Sequence, residues 1–96
     1  MITLVVRYRV KKNMMEKAKG AIREFVTRVK DREPETLVYE SYQLGKDDQE
    51  FVHVMKFANE EAEELHRESD YCKKFVEDLY PLCERKPEFE KLIGFY

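Results

Sequence analysis

Ile2 to Val10 alternate strictly. Ile2, Leu4, Val6, Tyr8 and Val10 fall on one face of a strand, and Thr3, Val5, Arg7 and Arg9 on the other. The later strand-like segments also carry valine, tyrosine or phenylalanine on both faces. A small sheet built from such strands cannot leave either face wet, so helices must cover one side and a further layer the other. With 96 residues there is room for one domain, residues 1–96, and one core.

The helical period appears next. Asn13 followed by Glu16 has the spacing of a capping box, and Ala18, Ile22, Phe25 and Val29 form the inward stripe of the helix it opens. Pro34 ends that helix, because the residue before proline avoids the helical region. Thr36 to Leu44 is rich in β-formers, Gly45-Lys46-Asp47-Asp48 is a turn, and Glu50 to Phe57 returns antiparallel. Phe51, His53, Met55 and Phe57 share one side of this third strand, with Val52 and Val54 on the other.

Asn59 caps a short helix with Glu60 and Glu61 in its first turn, as the helix dipole favours. Ser69 or Asp70 starts another, with Cys72, Phe75, Val76, Leu79, Leu82 and Cys83 as its buried stripe. Pro81 places an end or kink near Tyr80. Lys91 to Tyr96 supplies a last strand. The order strand, helix, strand, strand, helix pair, strand predicts an α+β fold, a ferredoxin-like split βαβ sandwich with helices on one sheet face. Face-to-face pairing of two sheets is the simplest cover for the other face, so a homodimer is expected.

Charged residues make up 40% of the chain but nearly cancel, at 18 basic against 20 acidic, for a net charge of -2. A duplex binder needs a basic surplus, so nucleic acid is not an expected partner. No apolar run is long enough to span a bilayer, and the amino terminus enters a strand pattern without a signal peptide, so no membrane partner and a cytoplasmic location are expected. Cys72 and Cys83 are about 16 Å apart along a continuous helix, too far for a disulfide, and are read as reduced, buried thiols. Without clustered thiols or histidines, no metal site is expected.

His66 stands beside the apolar stripe of its helix, just before the Ser69-Asp70 break. Its side chain titrates nearest neutrality, which makes it the candidate catalytic proton carrier. The alternative is a solvated histidine among Glu63, Glu64, Arg67 and Glu68. His53 either lines a pocket or is satisfied inside the structure. Glu40 either orients a histidine or binds substrate, or else forms a cross-strand ion pair with Arg7, Arg9 or Lys56. Arg7 is a candidate for holding an anionic substrate unless that pair occupies it. Tyr8, Tyr39, Tyr42, Tyr71 and Phe75 suit an aromatic pocket wall or plain core.

Arg32-Glu33-Pro34, Tyr39-Glu40, the Asn59-Glu60-Glu61-Ala62 helix start and His66-x-x-Ser69 followed by Phe75 together resemble the antibiotic biosynthesis monooxygenase family, from Ile2 to Tyr96. The resemblance implies a dimeric α+β barrel. It also implies oxidation of an electron-rich phenol, quinol or enol by molecular oxygen, often without metal or flavin. His66 would be the base, with Arg7, Tyr39, Glu40, His53, Tyr71 and Phe75 around the substrate, a small aromatic or dicarbonyl compound; no cofactor is expected. The chain departs from the family at Glu35, where glycine is frequent, at Met55-Lys56-Phe57, where Glu-x-Trp is frequent, and at Tyr71, where a second histidine is common. The related haem-degrading enzymes need a histidine on the long second helix, an asparagine in the first strand and a tryptophan. Asp70 to Tyr80 and the first strand lack the former two and the chain lacks the last, so haem is not expected. Two other activities compete with the oxygenase: isomerisation of a small hydroxy-ketone, and a non-catalytic dimeric ligand-binding or stress-associated module.

Overall fold

A computed structural model describes residues 1–95. Strands β1 (Ile2–Arg9), β2 (Thr36–Gln43), β3 (Glu50–Phe57) and β4 (Glu88–Leu92) form one antiparallel sheet in the order β2-β3-β1-β4. Helices α1 (Met15–Arg32), α2 (Glu60–Glu68) and α3 (Asp70–Leu79) complete the α+β, ferredoxin-like fold. Alternation decides what each strand buries. Val6 pairs with His53 and Tyr8 with Phe51, all on the helix side, whereas Val5 pairs with Val54 and Arg7 with Val52 on the open side.

The inward stripe of α1 is as its spacing predicts: Ala18, Ile22, Phe25 and Val29 are all buried. This stripe and α3 pack together, with the rings of Phe25 and Phe75 stacked at 4.2 Å. The predicted capping box does not form. Lys12–Met14 make a 3-10 turn in which the Met14 N–H bonds the Lys11 carbonyl at 2.9 Å. Asn13 is therefore inside the turn, and Met14 takes the cap position without a side-chain bond. By contrast, Asn59 caps α2 as expected, its Oδ1 accepting from the Ala62 N–H at 2.9 Å.

Two further expectations are corrected. The last strand is Glu88–Leu92, not one starting at Lys91. Pairing with β1 runs from Glu88 opposite Arg7 to Leu92 opposite Thr3, so the strand is set by its backbone partners and not by the apolar run, and Ile93 and Phe95 lie beyond it. Tyr96 lies outside the described residues. In the stripe of α3, Leu79, Leu82 and Cys83 are buried, but Cys72, Phe75 and Val76 are only partly covered. They border a cavity, which is why packing stops short of them. Both cysteines are free thiols.

The open side of the sheet carries Val5, Val38, Val52 and Val54 with Tyr42 and Leu92, the last two 51% and 44% exposed. Ile93 and Phe95, beyond the end of β4, are exposed too. Phe57, fully buried at the end of β3 nearest α2, is the largest side chain with no exposure at all. Truncation of Phe57 to alanine removes a whole ring from this packing and is expected to destabilise the fold by about 3–5 kcal/mol, read from the urea unfolding midpoint.

Candidate active site

Glu33 caps the C-terminus of α1 just before Pro34, with its N–H bonded to the Val29 carbonyl, and the residue is only 4% exposed. A buried carboxylate needs donors. Thr36 at the start of β2 donates its hydroxyl at 2.7 Å, Tyr71 on α3 donates its phenol, and His66 on α2 places Nδ1 3.0 and 3.2 Å from the two oxygens. Burial pushes the Glu33 pKa up, but the bonds from His66, Tyr71 and Thr36 outweigh it and leave the carboxyl below its ordinary value. At neutral pH Glu33 is an anion and can only accept. Nδ1 of His66 must then carry a proton, which leaves Nε2 as the basic nitrogen whenever the ring is neutral.

The backbone around His66 is fixed as closely as its ring. Ser69 donates its hydroxyl to the His66 carbonyl at 2.8 Å, and the same oxygen accepts from the Cys72 N–H at 3.2 Å as the N-cap of α3. One residue thus ends α2 and begins α3.

His66 forms part of the wall of a cavity of about 490 Å³ between the sheet and α3. That size suits a small organic molecule. Leu4, Val6, Met55, Phe75, Val76 and Leu79 make most of the wall, and the exposed Arg67, Lys73 and Glu77 mark its opening. Nε2 of His66 has no hydrogen-bond partner among the described residues.

A second polar group lines the same cavity. His53 is 1% exposed, and its ring lies between two phenols, Tyr8 at 2.6 Å from Nε2 and Tyr39 at 2.8 Å from Nδ1. Burial lowers the His53 pKa to about 4, with the nearby His66 adding to the effect. It also raises those of Tyr8 and Tyr39, so all three are neutral near pH 7. Burial and the Glu33 carboxylate together push Tyr71 up to about 12.

Five residues singled out from sequence therefore meet at the cavity: His66, His53, Tyr8, Tyr39 and Phe75. Tyr71 stands behind Glu33, its ring under the Arg32 guanidinium at 5.7 Å, and does not line the cavity. Arg7 and Glu40 are not brought to it. Both project from the open side of the sheet, Arg7 opposite Val52 and Glu88, and Glu40 opposite Val54. Glu40 accepts a hydrogen bond from Tyr42 at 2.8 Å and forms no ion pair with Arg7, Arg9 or Lys56 among the described residues. Arg9 instead pairs with Asp47, Glu50 and Glu84.

Sequence reasoning missed Glu33 and the hydroxyl of Tyr8. The first had a signal. Extending the stripe 18, 22, 25, 29 by one more four-residue step lands on Glu33, and an acid on a core stripe must be buried with donors. Among the described residues there is no group of three or more histidine, cysteine, aspartate and glutamate side chains placed to hold a metal.

Fold and site together define a small α+β domain with a histidine–carboxylate pair on an apolar cavity. The profile of the antibiotic biosynthesis monooxygenase family matches residues 1–78, and the chain belongs to that family. Among solved structures, a protein of the same family name from Caulobacter crescentus CB15 superposes with a TM-score of 0.92 at 21% identity, over 99% of this chain and 90% of that one. Another, from Nitrosomonas europaea, gives 0.89 at 20% identity over the whole of both chains. A Mycobacterium tuberculosis protein gives 0.90 at 15% identity, over 99% and 95%. At these identities the likeness establishes the fold. No curated protein matches the sequence significantly.

The two buried groups make stability depend on pH in separate windows. The folded-state pKa of His53 lies below its ordinary 6.5, so the unfolded chain binds the extra proton first. The contribution of His53 is complete above 6.5 and is lost as pH falls toward about 4, a change on the order of 3 kcal/mol. Glu33 is likewise depressed, and its contribution is present above 4.5 and lost only further down. Urea midpoints across this range should fall first in the His53 window, and histidine NMR should show His53 still neutral where exposed imidazoles are charged.

Proposed function

We propose that this protein is a cofactor-independent monooxygenase acting on a quinol-like or polyketide-like aromatic substrate, or a related dicarbonyl, with His66 as the proton acceptor. The observation that carries this reading is the Glu33–His66 pair, whose imidazole belongs to the wall of an apolar cavity and keeps Nε2 free of partners among the described residues. A cavity alone suits a ligand-binding module as well, and the carboxylate held against the imidazole on its wall is what favours the enzyme.

Nε2 removes the substrate's acidic proton, and the anionic Glu33 stabilises the resulting imidazolium through Nδ1. The substrate anion, held among apolar walls, reduces molecular oxygen. A C–O bond forms, His66 returns its proton to the peroxide, and the O–O bond breaks with loss of water. Phenol and oxygen thereby give quinone and water, with every electron supplied by the substrate. The alternative that retains the same base is isomerisation of a hydroxy-ketone, which moves a proton and uses no oxygen.

The chain is proposed to act as a homodimer in the cytoplasm. The apolar open side of the sheet, with Val5, Val38, Val52, Val54, Tyr42 and Leu92, supports a second copy as its cover. The two free thiols suit a reducing compartment.

Oxygen uptake with a panel of quinols, naphthols and small dicarbonyls tests the reaction. His66→Ala should lower turnover by about 100- to 10,000-fold. Glu33→Gln should also slow it, because a neutral amide lets Nδ1 accept and so blocks Nε2 with a proton. A His66→Ala protein with undiminished turnover would falsify the assignment, and rearrangement without oxygen uptake would make the enzyme an isomerase. For the assembly, sedimentation velocity should give a dimer, and Val54→Asp, a charge at the centre of the open side, should give monomers. A dimer that survives this substitution is built on another surface.

A further inference from the structure

The Tyr8–His53–Tyr39 chain contains a proton more than its own hydrogen bonds can use. Three neutral groups bring three protons, one on each phenol and one on the imidazole, to two contacts. A neutral imidazole donates from one nitrogen and accepts at the other. The phenol that receives the imidazole N–H therefore has its own O–H left over. Neither phenol has another acceptor among the described residues, and both rings line the cavity. Leaving a buried hydroxyl proton without an acceptor is unfavourable, so the arrangement is complete only when a bound molecule supplies one.

We propose that this chain delivers one hydroxyl donor into the cavity from either end, Tyr8 or Tyr39 according to the His53 tautomer, to hold the anionic oxygen of the ligand. The inference rests on the cavity being the ligand site. It adds that the ligand presents an acceptor oxygen, as a phenolate or enolate does, to these hydroxyls. His53 is the positioning residue. Its burial, with no carboxylate in contact, keeps it neutral, and a charged imidazole would donate to both phenols and abolish the alternation. The depressed pKa of His53 agrees with this geometry. A donor that changes ends can follow negative charge as it moves between two oxygens of one molecule, at the expense of a single tautomer shift.

Binding of 4-nitrophenol against nitrobenzene tests the proposal without any turnover, so its outcome is independent of whether His66 acts as a base. The wild-type protein should prefer the phenol, and the visible band of the nitrophenolate should report it bound as the anion. Tyr8→Phe and Tyr39→Phe should each weaken that preference only a few-fold, because the remaining phenol takes over. The double variant should lose about 10- to 100-fold, more than the product of the single effects. Nitrobenzene binding reports whether each variant keeps an intact cavity. If one single variant loses the whole preference and the other none, the donor is fixed. If the double variant keeps the preference, or the wild type shows none, there is no donor. Nitrogen-15 NMR of histidine-labelled wild-type protein gives a second test that needs no variant: 4-nitrophenol should change the His53 tautomer population, and a population indifferent to the ligand overturns the switch.

Discussion

A carboxylate placed inside the protein constrains everything around it. Glu33 ends α1, and the groups that satisfy it come from the start of β2, the last turn of α2 and the first turn of α3. Removing any one donor leaves a charge with incomplete solvation, which is costly in a low-dielectric interior. The four elements are therefore tied at one point, and that point sits directly behind His66. The interaction that completes the corner of the fold also selects the tautomer of the His66 imidazole, the proposed base.

Two histidines lie within one site and are set for different work by their neighbours. His66 faces an anion and is directed to act on protons. His53, between two phenols and without a counter-charge, stays neutral and passes on the direction of a hydrogen bond. Contrasting environments of this kind are how a single cavity can hold both a proton acceptor and a neutral donor. The rest of the wall is apolar, which strengthens both effects by excluding water.

Much of the fold was legible because period and punctuation agree. The alternation of β1 and β3, the stripe of α1, and the caps at Asn59 and Ser69 all follow from local residue chemistry. The misplaced start of β4 has a non-local cause: its limits are set by pairing with Arg7 to Thr3 of β1, which the residues near Leu92 do not encode. The same holds in the site. His66 was recognisable from residue type and its place beside an apolar stripe. Arg7 and Glu40 were grouped with it by residue chemistry, yet the period of two in a strand sends both to the other side of the sheet. Tyr8 was visible as a wall residue, but its partnership with His53 depends on the pairing of β1 with β3 across the intervening helices and turn.

The junction at Ser69 links access to aim. Helix α3 forms one side of the ligand chamber, and its first residue hangs from a serine that also grips the peptide carbonyl of His66. With no slack loop between the two helices, any outward tilt of α3 would tug on the backbone of the residue proposed as the base. The width of the chamber and the aim of that imidazole would then change together through a single joint.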